Sequence, residues 1–217
     1  MNFLCHNLNM NKKNKAKEIL KLLKEEYQEV GPFIQWSNPL ELLIGIILSA
    51  QCTDLRVNTV TKSLFKKYKI AEDYANADIE VLEQEVYSTG FYKSKAKALK
   101  ETGRIIAEDF GGEVPDNLDD LLKLRGVSHK TAYLVLSKVY GKNDGLAVDT
   151  HVFRLAKRFG LSNAKSPEIM SRELSKIVQP KNYLEWNEYL ITHGRAVCGR
   201  KPKCDECVLK NVCVKNI

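Results

Sequence analysis

Four of the six cysteines in this 217-residue chain lie within sixteen residues, in the run CGRKPKCDECVLKNVC from Cys198 to Cys213. The opening residues, MNFLCHNLNM, have neither the apolar core nor the cleavage site of an export signal. The longest apolar run, PLELLIGIILSA, is too short to cross a bilayer. We therefore expect a cytoplasmic protein with no membrane partner, and clustered cysteines in that compartment are metal ligands more often than disulfides.

These four cysteines could hold either of two metal groups. Tetrahedral zinc and a cuboidal iron–sulfur cluster both take four thiolates from one compact segment. Zinc sites usually have two close pairs of ligands, but only Cys204 and Cys207 form such a pair, so the spacing alone leaves both groups open. The other two cysteines are interpreted as a free terminal thiol, Cys5, and a small packed side chain, Cys52.

The rest of the sequence has the periodicity of α-helices. Apolar residues recur three or four positions apart in AKEILKLLKEEYQEV, which predicts an amphipathic helix that ends at Gly31 and Pro32. Further helices are predicted over about 54–68, 78–88, 93–110, 116–124 and 182–195, and in HKTAYLVLSKVY and DTHVFRLAKRF. Since no sustained period-two alternation is present, the predicted fold class is all-α.

One predicted helix, in PLELLIGIIL, is apolar on every side. Asn38 is its expected N-cap, Pro39 its first residue, and Glu41 stands at the spacing of a capping box. A helix that is apolar all round has to be buried, so this one is expected at the centre of a domain. It ends in SAQCTD, a return to polar residues where a cleft could begin.

A glycine turn joins two predicted helices in LLKLRGVSHKTAYLVL. Gly126 permits a tight turn, and the second helix starts within a few residues. The unpaired N–H groups at that helix start form a site for an anion such as a DNA phosphate. Lys130 lies in the first turn, where the helix dipole disfavours a cation and favours the neutral amine of a nucleophile. The alternative interpretation is an ordinary surface lysine.

Asp149 precedes the helix predicted in DTHVFRLAKRF. Aspartate is a favoured N-cap, and this role explains the residue without any catalysis. The two roles are compatible, since a cap fixes the carboxylate at the end of a helix, where it could face Lys130 across a cleft.

The segments LRGVSHKTA, AVDTHVFR and the four-cysteine loop, in this order, resemble endonuclease III, in the helix-hairpin-helix superfamily of base-excision DNA glycosylases. The resemblance also covers NPLELLIGIILSAQCTD, TGFYKSKA and GEVPD, and so nearly the whole chain. It implies two helical domains with an active cleft between them. A six-helix domain with the hairpin would span 32–142, and the second domain would join 1–31 to 143–217 and carry the cluster loop, 198–213.

The resemblance also implies a mechanism and a partner. Lys130 matches the amine that attacks the sugar C1′ of a damaged nucleotide, expels the base and cuts the strand by β-elimination through a Schiff base. Asp149 matches the carboxylate that assists this amine and stabilises positive charge on the sugar. The expected partner is double-stranded DNA with oxidised pyrimidines or abasic sites, bound by a monomer, and an excess of 34 Lys and Arg over 27 Asp and Glu suits a polyanion.

An extruded nucleotide leaves a hole in the duplex, and two residues match those that the family places there. Gln51 would enter the gap and face the orphaned base, and Phe91 would be a wedge between base steps. The alternatives are a polar residue at a helix end for Gln51 and a loop aromatic folded onto the core for Phe91.

Within the hairpin, Arg125, Gly126, Ser128 and His129 are interpreted as DNA contacts. The family usually has proline at the position of Arg125 and glycine at that of Ser128. Because a Cβ resists positive φ, Ser128 is expected either to be strained or to contact phosphate less closely, with the charge of Arg125 as compensation. His129 stands where the family often has arginine. Because histidine can lose its charge near neutral pH, the local charge is expected to depend on pH.

The cysteine loop matches the [4Fe–4S] loop of the family, with Cys198, Cys204, Cys207 and Cys213 as ligands, although the first gap is usually one residue longer there. Arg200, Lys201 and Lys203 stand between the first two ligands and are interpreted as a phosphate-binding loop held by the cluster. A solvated charged tail is the alternative. For the protein as a whole, the alternatives are a monofunctional glycosylase of the same superfamily and a non-catalytic DNA-binding protein.

Overall fold

A computed structural model describes residues 10–215. Every regular element within them is helical and none is a strand, which confirms the predicted all-α class. The chain divides into two compact units: Pro32–Lys142, and the described parts of Met1–Gly31 and Asn143–Ile217. Each unit has a hydrophobic core of its own. Cys5 lies outside the described residues.

The helices follow one another with short connections. In chain order they are α1 (Lys12–Glu26), α2 (Pro39–Leu48), α3 (Asp54–Lys67), α4 (Ala71–Ala75), α5 (Ile79–Val86), α6 (Tyr92–Asp109), α7 (Leu118–Leu121), α8 (His129–Tyr140), α9 (Thr150–Arg158), α10 (Pro167–Leu174) and α11 (Tyr183–Ala196). Single 3₁₀ turns lie at Tyr87–Thr89, Pro180–Asn182 and Cys204–Glu206. No helix in the described part of the chain combines the length and the apolar character needed to pass through a membrane.

Helix α2 lies in the core of Pro32–Lys142, as its apolar sequence predicts. Every one of its residues from Leu42 to Leu48 is buried. The Asn38 side chain caps it by accepting a hydrogen bond from the backbone N–H of Glu41 at 2.9 Å. The Glu41 carboxylate accepts from the backbone N–H of Ser37 at 2.7 Å, one residue before the partner expected for a capping box. These contacts fix where the buried helix begins.

Helix α1 packs in the core of the other unit through Ala16, Ile19, Leu20 and Leu23, the predicted apolar stripe. The helix ends at Glu26, four residues before the stripe does. Tyr27 has an extended backbone instead, and its side chain is partly buried against the same core. The chain therefore leaves the helix while its apolar residues continue to pack.

Candidate functional site

The glycine turn before α8 requires glycine for two reasons. Gly126 has a φ of +82°, in the left-handed region that residues with a Cβ rarely adopt. A Cβ built at this position would also lie 3.3 Å from the Ala98 Cβ and 3.4 Å from the Ile47 Cγ2. The turn therefore packs closely against buried residues of two helices, α2 and α6.

Ser128, two residues later, is extended, with φ −100° and ψ 171°. The expectation of positive-φ strain at this position is therefore wrong. The Ser128 hydroxyl accepts a hydrogen bond from the backbone N–H of Thr131 at 3.4 Å and makes the residue the N-cap of α8. Serine suits this place because it is one of the preferred N-cap residues.

Lys130 is the second residue of α8 and is partly buried. The first turn of this helix contains no acidic residue. Its N–H groups and positive dipole end therefore have no carboxylate of their own beside them, which suits an anion. Arg125 and His129 are exposed on either side of the turn. The backbone carbonyl of Arg125 accepts a hydrogen bond from the Thr102 hydroxyl at 2.9 Å, which fixes the turn to α6.

Asp149 belongs to the other unit and is the N-cap of α9. Its Oδ1 accepts a hydrogen bond from the backbone N–H of Val152 at 2.8 Å. The segment before it is also held, since the Ala147 carbonyl accepts from Asn187 Nδ2 at 3.1 Å and the Leu146 carbonyl from the Ser171 hydroxyl at 2.7 Å. The sequence alone does not distinguish buried Asn187, because α11 contains several polar residues and the sequence does not show which of them has a buried partner.

Gln51 and Phe91 are both exposed and both adopt left-handed backbone conformations, with φ 52° and 49°. Side chains with a Cβ rarely do so, and such strain is concentrated at functional sites. Phe91 is 66% exposed, so it is not the core-packed aromatic of the alternative interpretation. Cys52, next to Gln51, packs partly buried against the core as expected.

The buried side chain of Lys95 supports the segment before Phe91. No functional role is predicted for this residue from the sequence. Its Nζ donates a hydrogen bond to the Thr89 carbonyl at 2.7 Å. Burial lowers the pKa of this amine, and the nearby Cys52 thiol partly opposes that effect. Its spacing from the apolar residues of α6 places Lys95 on the buried face of that helix, and this spacing is the signal in the sequence that indicates a buried lysine.

All four cysteines of the C-terminal loop line one pocket. All four are free rather than paired in disulfides. Burial raises the pKa of the Cys207 and Cys213 thiols, and the positive charge of bound iron or zinc is what would stabilise thiolates there. Within residues 10–215 no three His, Cys, Asp or Glu side chains are grouped tightly enough for one metal ion. A pocket with four free thiols fits a cluster, in which each cysteine binds a different iron.

Two arginines of α9 hold the start of this loop. Arg158 is buried and donates to the Gly199 carbonyl at 2.6 Å, the Arg200 carbonyl at 3.2 Å and the Cys198 Sγ at 3.2 Å. Arg154 donates to the Cys198 carbonyl at 3.0 Å. Helix α9, which Asp149 caps, is thus tied to the cysteine loop. The sequence does not reveal this role because the carbonyl partners lie about forty residues away.

The basic side chains of the loop point to solvent. Arg200, Lys201 and Lys203 are all exposed, and Lys203 lies 3.9 Å from the Glu206 carboxylate in a weak surface ion pair. The cysteine pocket therefore fixes the backbone of a segment whose charges remain accessible to an anion.

Comparison with known proteins links this geometry to a family. Residues 44–180 match the model of the HhH-GPD superfamily base excision DNA repair protein, and residues 199–213 match the iron-sulfur binding domain of endonuclease III. The chain is 44% identical to endonuclease III of Synechocystis over 93% of both chains. It is 36% identical to endonuclease III of Escherichia coli over 92% of this chain and 96% of the other.

Solved structures agree. A non-covalent endonuclease III–DNA complex superposes with a TM-score of 0.89 at 36% identity, over 95% of this chain and 97% of the other. A trapped endonuclease III–DNA covalent intermediate matches equally well. A thermostable thymine-DNA glycosylase matches with a TM-score of 0.84 at 25% identity, over 95% of this chain and 98% of the other.

Proposed function

Since the chain belongs to the endonuclease III family of the HhH-GPD superfamily, we propose that its Lys130 and Asp149 perform the chemistry of a base-excision DNA glycosylase and abasic-site lyase. The family membership establishes the enzyme class and the iron–sulfur cluster. The assignment of individual residues to the reaction is our proposal. The observation that supports it most is the placement of Lys130 in a helix first turn that has a serine cap and no acidic residue.

In the proposed reaction, the neutral amine of Lys130 forms a bond to C1′ as the bond from C1′ to the base breaks. The departing base takes up a proton, and the sugar ring opens to give a Schiff base between Lys130 and C1′. Loss of a proton from C2′ then expels the 3′ phosphate by β-elimination. Asp149 would accept the proton of the lysine and stabilise the positive charge on the sugar, because an anion stabilises developing positive charge electrostatically.

The proposed DNA contacts divide into two kinds. The hairpin residues Arg125, Gly126, Ser128 and His129 would bind backbone phosphates through N–H groups and positive charge. The exposed loop residues Arg200, Lys201 and Lys203 would do the same through charge alone. Gln51 and Phe91 would enter the duplex, which their exposure and their strained backbones support.

The cluster is proposed to be held by Cys198, Cys204, Cys207 and Cys213. Their shared pocket and free thiols support this set. The match to the iron-sulfur domain begins at residue 199, one position after Cys198, so the pocket is the main support for that ligand. When bound, the cluster would fix the loop together with Leu209 and Val212, which are buried in the hydrophobic core of the same unit.

Finer properties belong to the same proposal. Oxidised pyrimidines are the proposed lesions and a monomer is the proposed state, both from the family resemblance. A cytoplasmic location is supported by the free cysteines, since thiols stay reduced in that compartment. Release of a series of damaged bases from defined duplexes and sedimentation of the free protein test the first two properties.

Borohydride trapping tests the central proposal. The protein is incubated with a duplex containing one abasic site, and borohydride reduces any Schiff base to a stable amine. We expect a covalent adduct for the wild type and for Lys138→Ala, a matched change in the same helix, but none for Lys130→Ala. An adduct that persists in Lys130→Ala would refute the assignment of the nucleophile. A second duplex that carries a damaged base measures base release. Base release from that duplex, with no adduct on the abasic one, would indicate a monofunctional glycosylase, and binding without either reaction would indicate a DNA-binding protein.

A further inference from the structure

His193 forms part of the surroundings of the cysteine pocket and is not among the proposed ligands or catalytic groups. It lies in the last turn of α11 and is completely buried. Its Nε2 lies 3.5 Å from the Cys207 Sγ, and its Nδ1 lies 3.0 Å from the Tyr27 hydroxyl oxygen. The imidazole therefore bridges a proposed cluster ligand and a tyrosine from the segment that follows α1.

The chemistry of the two partners decides where the imidazole proton lies. A thiolate bound to iron has no proton and can only accept a hydrogen bond. The nitrogen that faces Cys207 must therefore carry the proton if the contact is to be favourable. In a neutral ring the other nitrogen then has a lone pair, which the Tyr27 hydroxyl can satisfy as a donor. Only this tautomer satisfies both contacts of the neutral ring.

We propose that Tyr27 fixes His193 as the Nε2–H tautomer, so that His193 donates a hydrogen bond to the Cys207 thiolate and raises the reduction potential of the cluster. The proposal rests on the proposed ligand set of four cysteines. A hydrogen bond withdraws electron density from the sulfur and stabilises the more negative, reduced cluster, which raises the potential. Tyr27 acts through His193 and is a positioning residue.

The cysteine sulfurs also accept hydrogen bonds from other donors, so the contribution of His193 to the reduction potential can be measured separately. Arg158 Nη1 lies 3.2 Å from the Cys198 Sγ, and the Lys215 backbone N–H donates to the Cys213 Sγ at 3.3 Å. Neither contact involves Tyr27 or His193, so both persist when the pair is changed. Removal of the His193 bond should therefore shift the potential of a cluster that is still bound.

The chain provides a matched control. Tyr183, which lies in the same helix as His193, is buried, and its hydroxyl donates to the Ser175 carbonyl at 3.1 Å. Tyr183 does not line the cysteine pocket. Tyr183→Phe therefore removes a tyrosine hydrogen bond from the same unit without changing a donor to a cysteine sulfur.

The experiment uses the cluster-loaded protein and measures iron per chain, melting temperature and the midpoint potential of the cluster. We expect the potential to fall in Tyr27→Phe and to fall further in His193→Leu. It should stay at the wild-type value in Tyr183→Phe, even where the melting temperature falls. His193→Gln can present an amide N–H to the sulfur, so its potential should lie closer to the wild type than that of His193→Leu.

Two different failures can be told apart. If the wild type contains no iron, the proposed ligand set fails, and the inference fails with it. If Tyr27→Phe retains its iron and has the wild-type potential, the tyrosine does not set the tautomer and the inference is refuted, while the enzyme assignment stands. Equal shifts in Tyr27→Phe and Tyr183→Phe would also refute it, because they would show a general effect of stability.

Discussion

The Asp149 carboxylate accepts a hydrogen bond from the backbone N–H of Val152 at 2.8 Å, so the proposed catalytic carboxylate is also the N-cap of α9. The same helix carries Arg154 and Arg158, which bind carbonyls of the cysteine loop. A substitution of Asp149 therefore has a structural and a chemical effect, which the choice of replacement can separate.

Asp149→Asn should leave the fold intact and abolish base release. Asparagine caps a helix about as well as aspartate, so the free energy of unfolding should hardly change, whereas Asp149→Ala should lose about 1 kcal/mol. Asparagine has no charge to stabilise a cationic sugar, so both variants should be inactive while still binding DNA. Thermal unfolding and single-turnover base release measure the two effects.

The control is Asp78→Asn, at the N-cap of α5, where Oδ1 accepts from the backbone N–H of Glu80 at 2.8 Å. It makes the same chemical change at a cap with no proposed role in catalysis and should keep full activity. Normal turnover in Asp149→Asn would remove Asp149 from the mechanism and leave it as a cap only.

Gly126→Ala should destabilise the protein and weaken DNA binding. The left-handed backbone costs a residue with a Cβ about 1–2 kcal/mol, and the added Cβ would press on Ala98 at 3.3 Å. Movement of the turn would misplace its N–H groups. We expect DNA binding to weaken by about 1.5 kcal/mol, the size of one hydrogen bond to a charged group, measured by fluorescence anisotropy.

Gly141→Ala is the control for strain alone. Gly141 has a φ of +65°, and a Cβ there would meet no atom within 4 Å. Its stability should fall by about 1 kcal/mol, with no change in DNA affinity. Equal decreases of affinity in the two variants would show that the effect on binding comes from global stability and not from the turn.

Ser128→Gly restores the residue usual in the family and should gain nothing. Because the backbone at Ser128 is extended, glycine relieves no strain there, and it is only a few tenths of a kcal/mol weaker as an N-cap. DNA affinity should stay within about twofold of the wild type, or less than about 0.5 kcal/mol. Affinity that rose tenfold would show that the serine does hinder phosphate contact.

Local signals in the sequence predict much of this fold. Asn38 and Pro39 fix the start of α2, and the glycine at 141 ends α8, because capping and turn chemistry depend on neighbouring residues alone. Two helices fall outside the predicted ones. Helix α4 has only five residues, too few to show a period, and α10 has the start signal Ser166–Pro167 but a short apolar pattern.

Contacts between distant segments could not be predicted. Arg158 donates to carbonyls of a loop some forty residues away, but along the chain it is simply a basic residue in a helix. Tyr27 belongs to an apolar stripe by its spacing, although its hydroxyl lies against His193. Burial of a polar atom is decided by the tertiary fold, so its partner becomes visible only there.

The exposed charges of the cysteine loop should contribute to DNA binding through counterion release. Each phosphate that the protein no longer neutralises should reduce the slope of log affinity against log salt by about 0.9. Arg200→Ala and Lys201→Ala should each lower the slope by this amount. Lys66→Ala, an exposed lysine in the last turn of α3, is the control and should leave the slope unchanged. Identical slopes in all variants would identify the loop as a solvated charged tail.

Phe91→Gly should reduce activity without reducing stability. Phe91 holds a left-handed backbone at φ 49°, which costs a non-glycine residue about 1–2 kcal/mol and which glycine adopts freely. Greater entropy of the unfolded chain offsets about 0.5–1 kcal/mol of that gain, so the free energy of unfolding should be unchanged or slightly raised. Removal of the ring deletes the wedge that holds the duplex open, so single-turnover base release should slow by about tenfold or more, or about 1.4 kcal/mol.

Tyr87→Gly is the control, because it removes a neighbouring aromatic ring that is 64% exposed. It should leave the rate of base release unchanged if the wedge is the ring of Phe91 and not any exposed ring. If Phe91→Gly keeps the wild-type rate, the strained aromatic has no part in opening the duplex, and its backbone conformation needs another explanation.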